Sequence, residues 1–187
     1  LLFDAPQVAI FSLLPMKNGF VLAGAAPDGI VYKVDKSGHG TVFFRTEAHY
    51  IWDIIQEPDG NILVATGLPA SVIRIDSGGQ IINTFELSAE HARTLALDHH
   101  GEIWIGTAST GRIYHLSGND IQLVHDTFAS EISCLTSDEN GLWFATVAAP
   151  AISGSTSERP EKLTPRQRLQ NDLNEHGTIY FMDFEFR

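Results

Sequence analysis

Three carboxylates, Asp53, Glu90 and Glu131, come from successive stretches of the chain about 40 residues apart. Brought together, their oxygens would hold a divalent cation able to polarise a substrate or activate water, the chemistry of a hydrolase or lyase. Asp53 and Arg93 are the charges inside two otherwise apolar segments, IWDII at 51–55 and ARTLAL at 92–97. A charge buried without a partner is costly, so each needs a counter-ion or channel water. One reading is a direct Asp53–Arg93 contact that ties neighbouring elements together; the other is a ligand site. Asp28, Tyr50, Trp52 and His91 fall near them and complete a set that could bind a ligand with no cofactor.

Other chemistries find little purchase. The eight histidines show no HExxH spacing, and His99-His100 sit in a turn. Cys134, the single cysteine, lies in an apolar run and reads as a small core residue; it excludes an intrachain disulfide framework and leaves the compartment open. No Gly-x-Ser-x-Gly or phosphate-cradling loop is present.

The 187 residues suit one domain with a substantial core. A net charge of −11 repels phosphate backbones, which argues against nucleic acid as a partner. The longest apolar stretch, from Phe144 to Ile152, is broken by Thr146 and Pro150 and is too short to span a bilayer. The chain starts Leu-Leu-Phe-Asp, which reads as a processed product or an excised fragment.

What would position these residues is a repeat. Asn18-Gly19, Asp59-Gly60, His100-Gly101 and Asn140-Gly141 recur at glycine spacings of 41, 41 and 40 residues. Each glycine opens an apolar run, FVLAG at 20–24, NILVAT at 61–66, EIWIGT at 102–107 and LWFAT at 142–146. Each follows another apolar run at 10–14, 51–55, 92–97 or 132–136, so the dipeptides read as type I′ hairpin turns between antiparallel strands. Third strands follow at 30–35, 71–76, 112–117 and 178–183, and outer strands at 41–46, 81–87 and 121–126. Four short strands per unit of about 40 residues are the signature of a β-propeller blade. The fold class is therefore all-β, a single propeller domain over 1–187 with about four four-stranded blades.

Phe3, Phe44 and Phe85 share the same spacing, so Leu1 to Asp4 read as one more outer strand. It would complete the fourth blade and close a four-bladed ring. The alternative is part of a larger propeller, completed by missing sequence or by a second copy in a homodimer. Residues 148–176 are an insertion in the fourth blade, Ser-, Gly- and Pro-rich at first and helical from Arg166 to Glu175. It reads as a lid or docking helix, or as a tolerated surface loop.

The blocks from Asp98 to Thr107 (DHHGEIWIGT) and from Asn140 to Thr146 (NGLWFAT) resemble the repeat of two-component-regulator type propellers. They are also similar to NHL repeats, streptogramin lyases and gluconolactonase-like propellers. The resemblance implies that ligands gather on the face formed by the loops before the inner strands and those between second and third strands. The expectation is a non-catalytic recognition module for a protein or small molecule, using Asp28, Tyr50, Trp52, Asp53, Glu90, His91, Arg93 and Glu131. The alternative is a hydrolase or lyase using a divalent cation on Asp53, Glu90 and Glu131.

Overall fold

The structure, a computed structural model, describes residues 1–148 and 177–184. Within them the chain forms antiparallel meanders. The first comprises β1 (Ala9–Pro15), β2 (Val21–Ala26), β3 (Ile30–Val34) and β4 (Gly40–Arg45). The second comprises β5 (Tyr50–Gln56), β6 (Ile62–Gly67), β7 (Ser71–Ile75) and β8 (Ile81–Glu86). The third comprises β9 (His91–Leu97), β10 (Ile103–Ala108), β11 (Arg112–Ser117) and β12 (Asp120–Asp126). The fourth has β13 (Glu131–Ser137), β14 (Gly141–Val147) and β15 (Thr178–Asp183). The insertion expected at 148–176 falls almost wholly outside the described residues.

Successive residues of a strand point to opposite faces, and here both faces meet a neighbouring meander. Ile62 and Val64 of β6 pack toward the first meander with Leu22, Val31 and Phe44. Leu63 and Ala65, the residues between and after them, pack toward the third with Leu95, Ile103 and Ile105. This is why NILVAT and EIWIGT are almost continuously apolar rather than alternating. Trp104, Ile113, Ile132 and Phe144 repeat the arrangement between the third and fourth meanders.

The hairpin turns differ from the type I′ expectation. Only the glycine takes a positive φ, 87° at Gly19, 95° at Gly60 and 83° at Gly101, and its amide returns to a carbonyl three residues back: Met16, Glu57 or Asp98. Four-residue turns ending in glycine therefore join these strands. In the third, Asp98 Oδ1 accepts the amides of His100 and Glu102, and Oδ2 accepts the Trp104 indole N–H at 3.0 Å. Asp138 repeats the indole bond to Trp143 at 2.9 Å.

Leu1 to Asp4 form no strand. Phe3 instead packs at a tilt against Tyr32 with ring centroids 5.3 Å apart, and Phe3 and Ala5 cover the outer face of the first meander at Ala23, Ala25, Ile30 and Val34. The common phenylalanine spacing thus reports burial against an apolar face, not strand pairing. Among the described residues no pairing joins β1 to the fourth meander, and the sheets do not close. Ile179 and Phe181 of β15 and Trp143 of β14 are exposed. Cys134 is exposed as well, against the expectation of a core residue, because its sheet carries no further meander on that side among the described residues.

Candidate functional site

The innermost strands β1, β5, β9 and β13 run beside one another, so equivalent residues on them become neighbours across meanders. Phe11, Trp52 and Arg93 share one such position, 41 residues apart. Their side chains form a row, with Phe11 4.6 Å from Trp52 and the Arg93 guanidinium carbon 4.6 Å from the Trp52 ring centroid. Such cation–π and aromatic contacts hold planar groups in a fixed orientation. Tyr50, two residues before Trp52 on the same strand face, lies parallel to it at 4.9 Å.

His91 packs edge-on against both rings, and its Nδ1 accepts the Trp52 Nε1–H at 3.0 Å. That bond requires Nδ1 to be unprotonated. Burial holds His91 below the ordinary imidazole value, against the upward pull of the Glu90 and Glu131 carboxylates, so the acceptor form is favoured. The approach also depends on Gly67. A Cβ there would stand 2.1 Å from His91 Nδ1 and 2.5 Å from Trp52 Nε1.

The two charges foreseen as mutual partners have others. Arg93 Nε donates to Glu131 Oε1 at 2.8 Å, a half-exposed pair linking the third and fourth meanders. Asp53 is turned away, accepting the Leu95 and Ile54 amides at 2.8 Å each and the Ser12 hydroxyl at 3.3 Å. Its carboxylate ties the first three meanders together. Burial raises its pKa, while these hydrogen bonds and the Arg93 charge oppose the rise. The reason is positional: Asp53 shares its repeat position with Ser12 and Thr94, one residue on from the row that holds Trp52 and Arg93.

Loops before β5 and β9 and those after β2, β6 and β10 do meet on one face. Gly29 N donates to the His49 carbonyl at 3.4 Å, Leu68 N to Glu90 at 2.9 Å, and Glu90 N to the Ser109 hydroxyl at 3.1 Å. Glu90 is exposed beside His91, and Asp28 is exposed in the turn between β2 and β3 at φ 85°, without an aromatic contact to the cluster. Among the described residues no group of three or more His, Cys, Asp or Glu side chains is placed to hold a metal ion, so Asp53, Glu90 and Glu131 are not assembled as one. Phe11 and Gly67 were not foreseen. Their signals were their repeat positions, Phe11 in register with Trp52, and Gly67 where the neighbouring units carry Ala26 and Ala108.

These meanders and their shared inner row define a β-propeller fold. In that class the chain is similar to virginiamycin B lyase from Staphylococcus aureus, at TM-score 0.66 and 16% identity over 77% of this chain and 51% of that one. It is similar to a structure of streptogramin B lyase at 0.62 and 18%, covering 75% and 49%, and to a Bacteroides caccae protein of unknown function at 0.61 and 18%, covering 75% and 57%. The chain thus spans about half the length of these structures. No family profile matches it, and no curated protein matches its sequence.

Proposed function

We propose that the protein is a non-catalytic recognition module of propeller type, which receives a protein or small-molecule ligand on the face carrying Phe11, Tyr50, Trp52 and His91. The observation that carries this reading is that the charges at its centre are already engaged. Arg93 is held by Glu131 and Asp53 by backbone amides, so an arriving ligand meets mainly half-exposed aromatic surface. Stacking on such surface is selective for planar or apolar groups.

The test is a titration with small aromatic ligands followed through the Trp52 indole N–H resonance. Saturable shifts that vanish in Trp52→Ala and persist in EDTA support the proposal. Metal-dependent turnover lost in both Asp53→Ala and Glu90→Ala would replace it with the hydrolase or lyase reading, for which the solved lyases offer likeness of fold alone.

We further take the four meanders as blades of a ring larger than this chain, of two-component-regulator type as the Asp98–Trp104 and Asp138–Trp143 ties suggest. The half-length match to the solved structures and the bared Trp143, Ile179 and Phe181 support that reading. Native mass measurement discriminates: a dimer assigns the remainder of the ring to a second copy, and a larger parent sequence to further blades.

A further inference from the structure

A cavity of about 740 Å³ opens between the first and second meanders and shares no lining residue with the Trp52 cluster. Its origin is visible in the next interface along. There Arg112 fills the corresponding space, its Nε on Asp126 Oδ2 at 3.2 Å and its Nη1 on the Ser88 carbonyl at 3.3 Å. One repeat earlier the same position is Ser71.

The two backbones match. Arg112 N donates to Thr107 Oγ1 at 3.0 Å, and Ser71 N donates to Thr66 Oγ1 at 3.0 Å. Arg112 stands opposite Asp126 in the strand register, and Ser71 stands opposite Glu86. Glu47 occupies the repeat position of Ser88. The short Ser71 side chain bonds inward to the Thr66 hydroxyl at 2.8 Å and leaves the space empty. The carboxylates of Glu86 and Glu47 remain on the lining, exposed and without an ion-pair partner among the described residues. Ala70, Ile73 and Leu87 supply apolar wall.

We propose that this cavity takes the arginine side chain of a partner protein, with its guanidinium on Glu86 and its aliphatic stem along Ile73 and Leu87. The occupant is argued from the molecule itself, since one interface further on a guanidinium fills the equivalent space against the equivalent acid. A planar fork of N–H donors suits a carboxylate and a carbonyl together. The net charge of −11 favours approach of a cationic segment. Arg45 also lines the mouth, exposed and without an ion-pair partner among the described residues, and is the one lining cation, which would favour an anion instead.

The experiment titrates the intact chain with the capped peptide acetyl-Gly-Arg-Gly-amide and with its citrulline analogue, which keeps the shape and loses the charge. Amide shifts at Ala48, Ser71 and Glu86 are the readout. Saturable shifts confined to this cavity, weaker by about tenfold for citrulline and by about tenfold in Glu86→Gln, support the proposal. Ser71→Arg, which supplies the guanidinium from within as Arg112 does, abolishes the shifts. Glu86 is exposed, so its variant keeps the test decisive if Ser71→Arg does not fold. Equal binding of the arginine and citrulline peptides, no binding of either, or binding of acetyl-Gly-Glu-Gly-amide that is lost in Arg45→Ala overturns it. None of these outcomes depends on the Trp52 site, so failure here and failure of the recognition reading are distinguishable.

Discussion

Gly67 decides whether Trp52 and His91 can meet. Because an added Cβ would fall 2.1 Å from the acceptor nitrogen, Gly67→Ala must displace the imidazole and break the indole bond. The expected cost is about 1–3 kcal/mol by urea unfolding, the usual range for overpacking, with the Trp52 indole N–H shifting toward its solvent-exposed frequency. The same nitrogen sets a pH dependence. Folding lowers the His91 pKa from 6.5, so below that value the unfolded chain binds the proton more readily than the folded one. Stability therefore rises with pH through the region just below 6.5, and acid erodes it there. His91→Gln should flatten that part of the stability profile. Trp52 and Arg93 stand out by their repeat positions and His91 and Glu131 by their place at the start of inner strands, and the structure sets these side chains against one another. The partner of Arg93 was not legible, since a one-residue offset turns Asp53 toward backbone amides and only a three-dimensional register reveals it.

At the level of strands and turns the sequence was most informative, because period and glycine spacing are local signals. Strand positions agree with expectation to within a residue or two, except at Leu1 to Asp4. The glycine turns were located correctly, but those at Gly19, Gly60 and Gly101 are four-residue turns with a positive φ at the glycine alone, and in the third the Asp98 carboxylate accepts two amides. Asp98→Ala removes the acceptor of both amides and of the nearly buried Trp104 indole. A loss of about 1–3 kcal/mol is expected in urea unfolding. Asp98→Asn, which keeps an acceptor oxygen, should recover part of it.

Across the molecule, neighbouring meanders are also tied at the edge away from the loop face. Arg74 makes a two-pronged ion pair with Glu57 at 2.7 and 2.8 Å, and its Nη1 donates to the Gly118 carbonyl and Asn119 Oδ1. Both ionic side chains are about one-tenth exposed, 9% and 10%. Glu57→Gln leaves a nearly buried guanidinium short of charge, with an expected cost of about 3–5 kcal/mol in thermal or urea unfolding. Replacing both by apolar residues, Glu57→Leu with Arg74→Met, should cost less than the single change. Whether the meanders close into a ring was not legible, because closure depends on which surfaces find partners and not on any local pattern. Single ladder pairs, Gly67 with His91 and Ala108 with Glu131, stitch the second meander to the third and the third to the fourth. The first and second have no such ladder pair among the described residues; the 3.4 Å bond from Gly29 to His49 and the Ser12 hydroxyl on Asp53 join them, and the large cavity lies in that seam. A guest seated there would act as a keystone, and its grip would be felt as resistance of the first meander to peeling away from the rest of the arch.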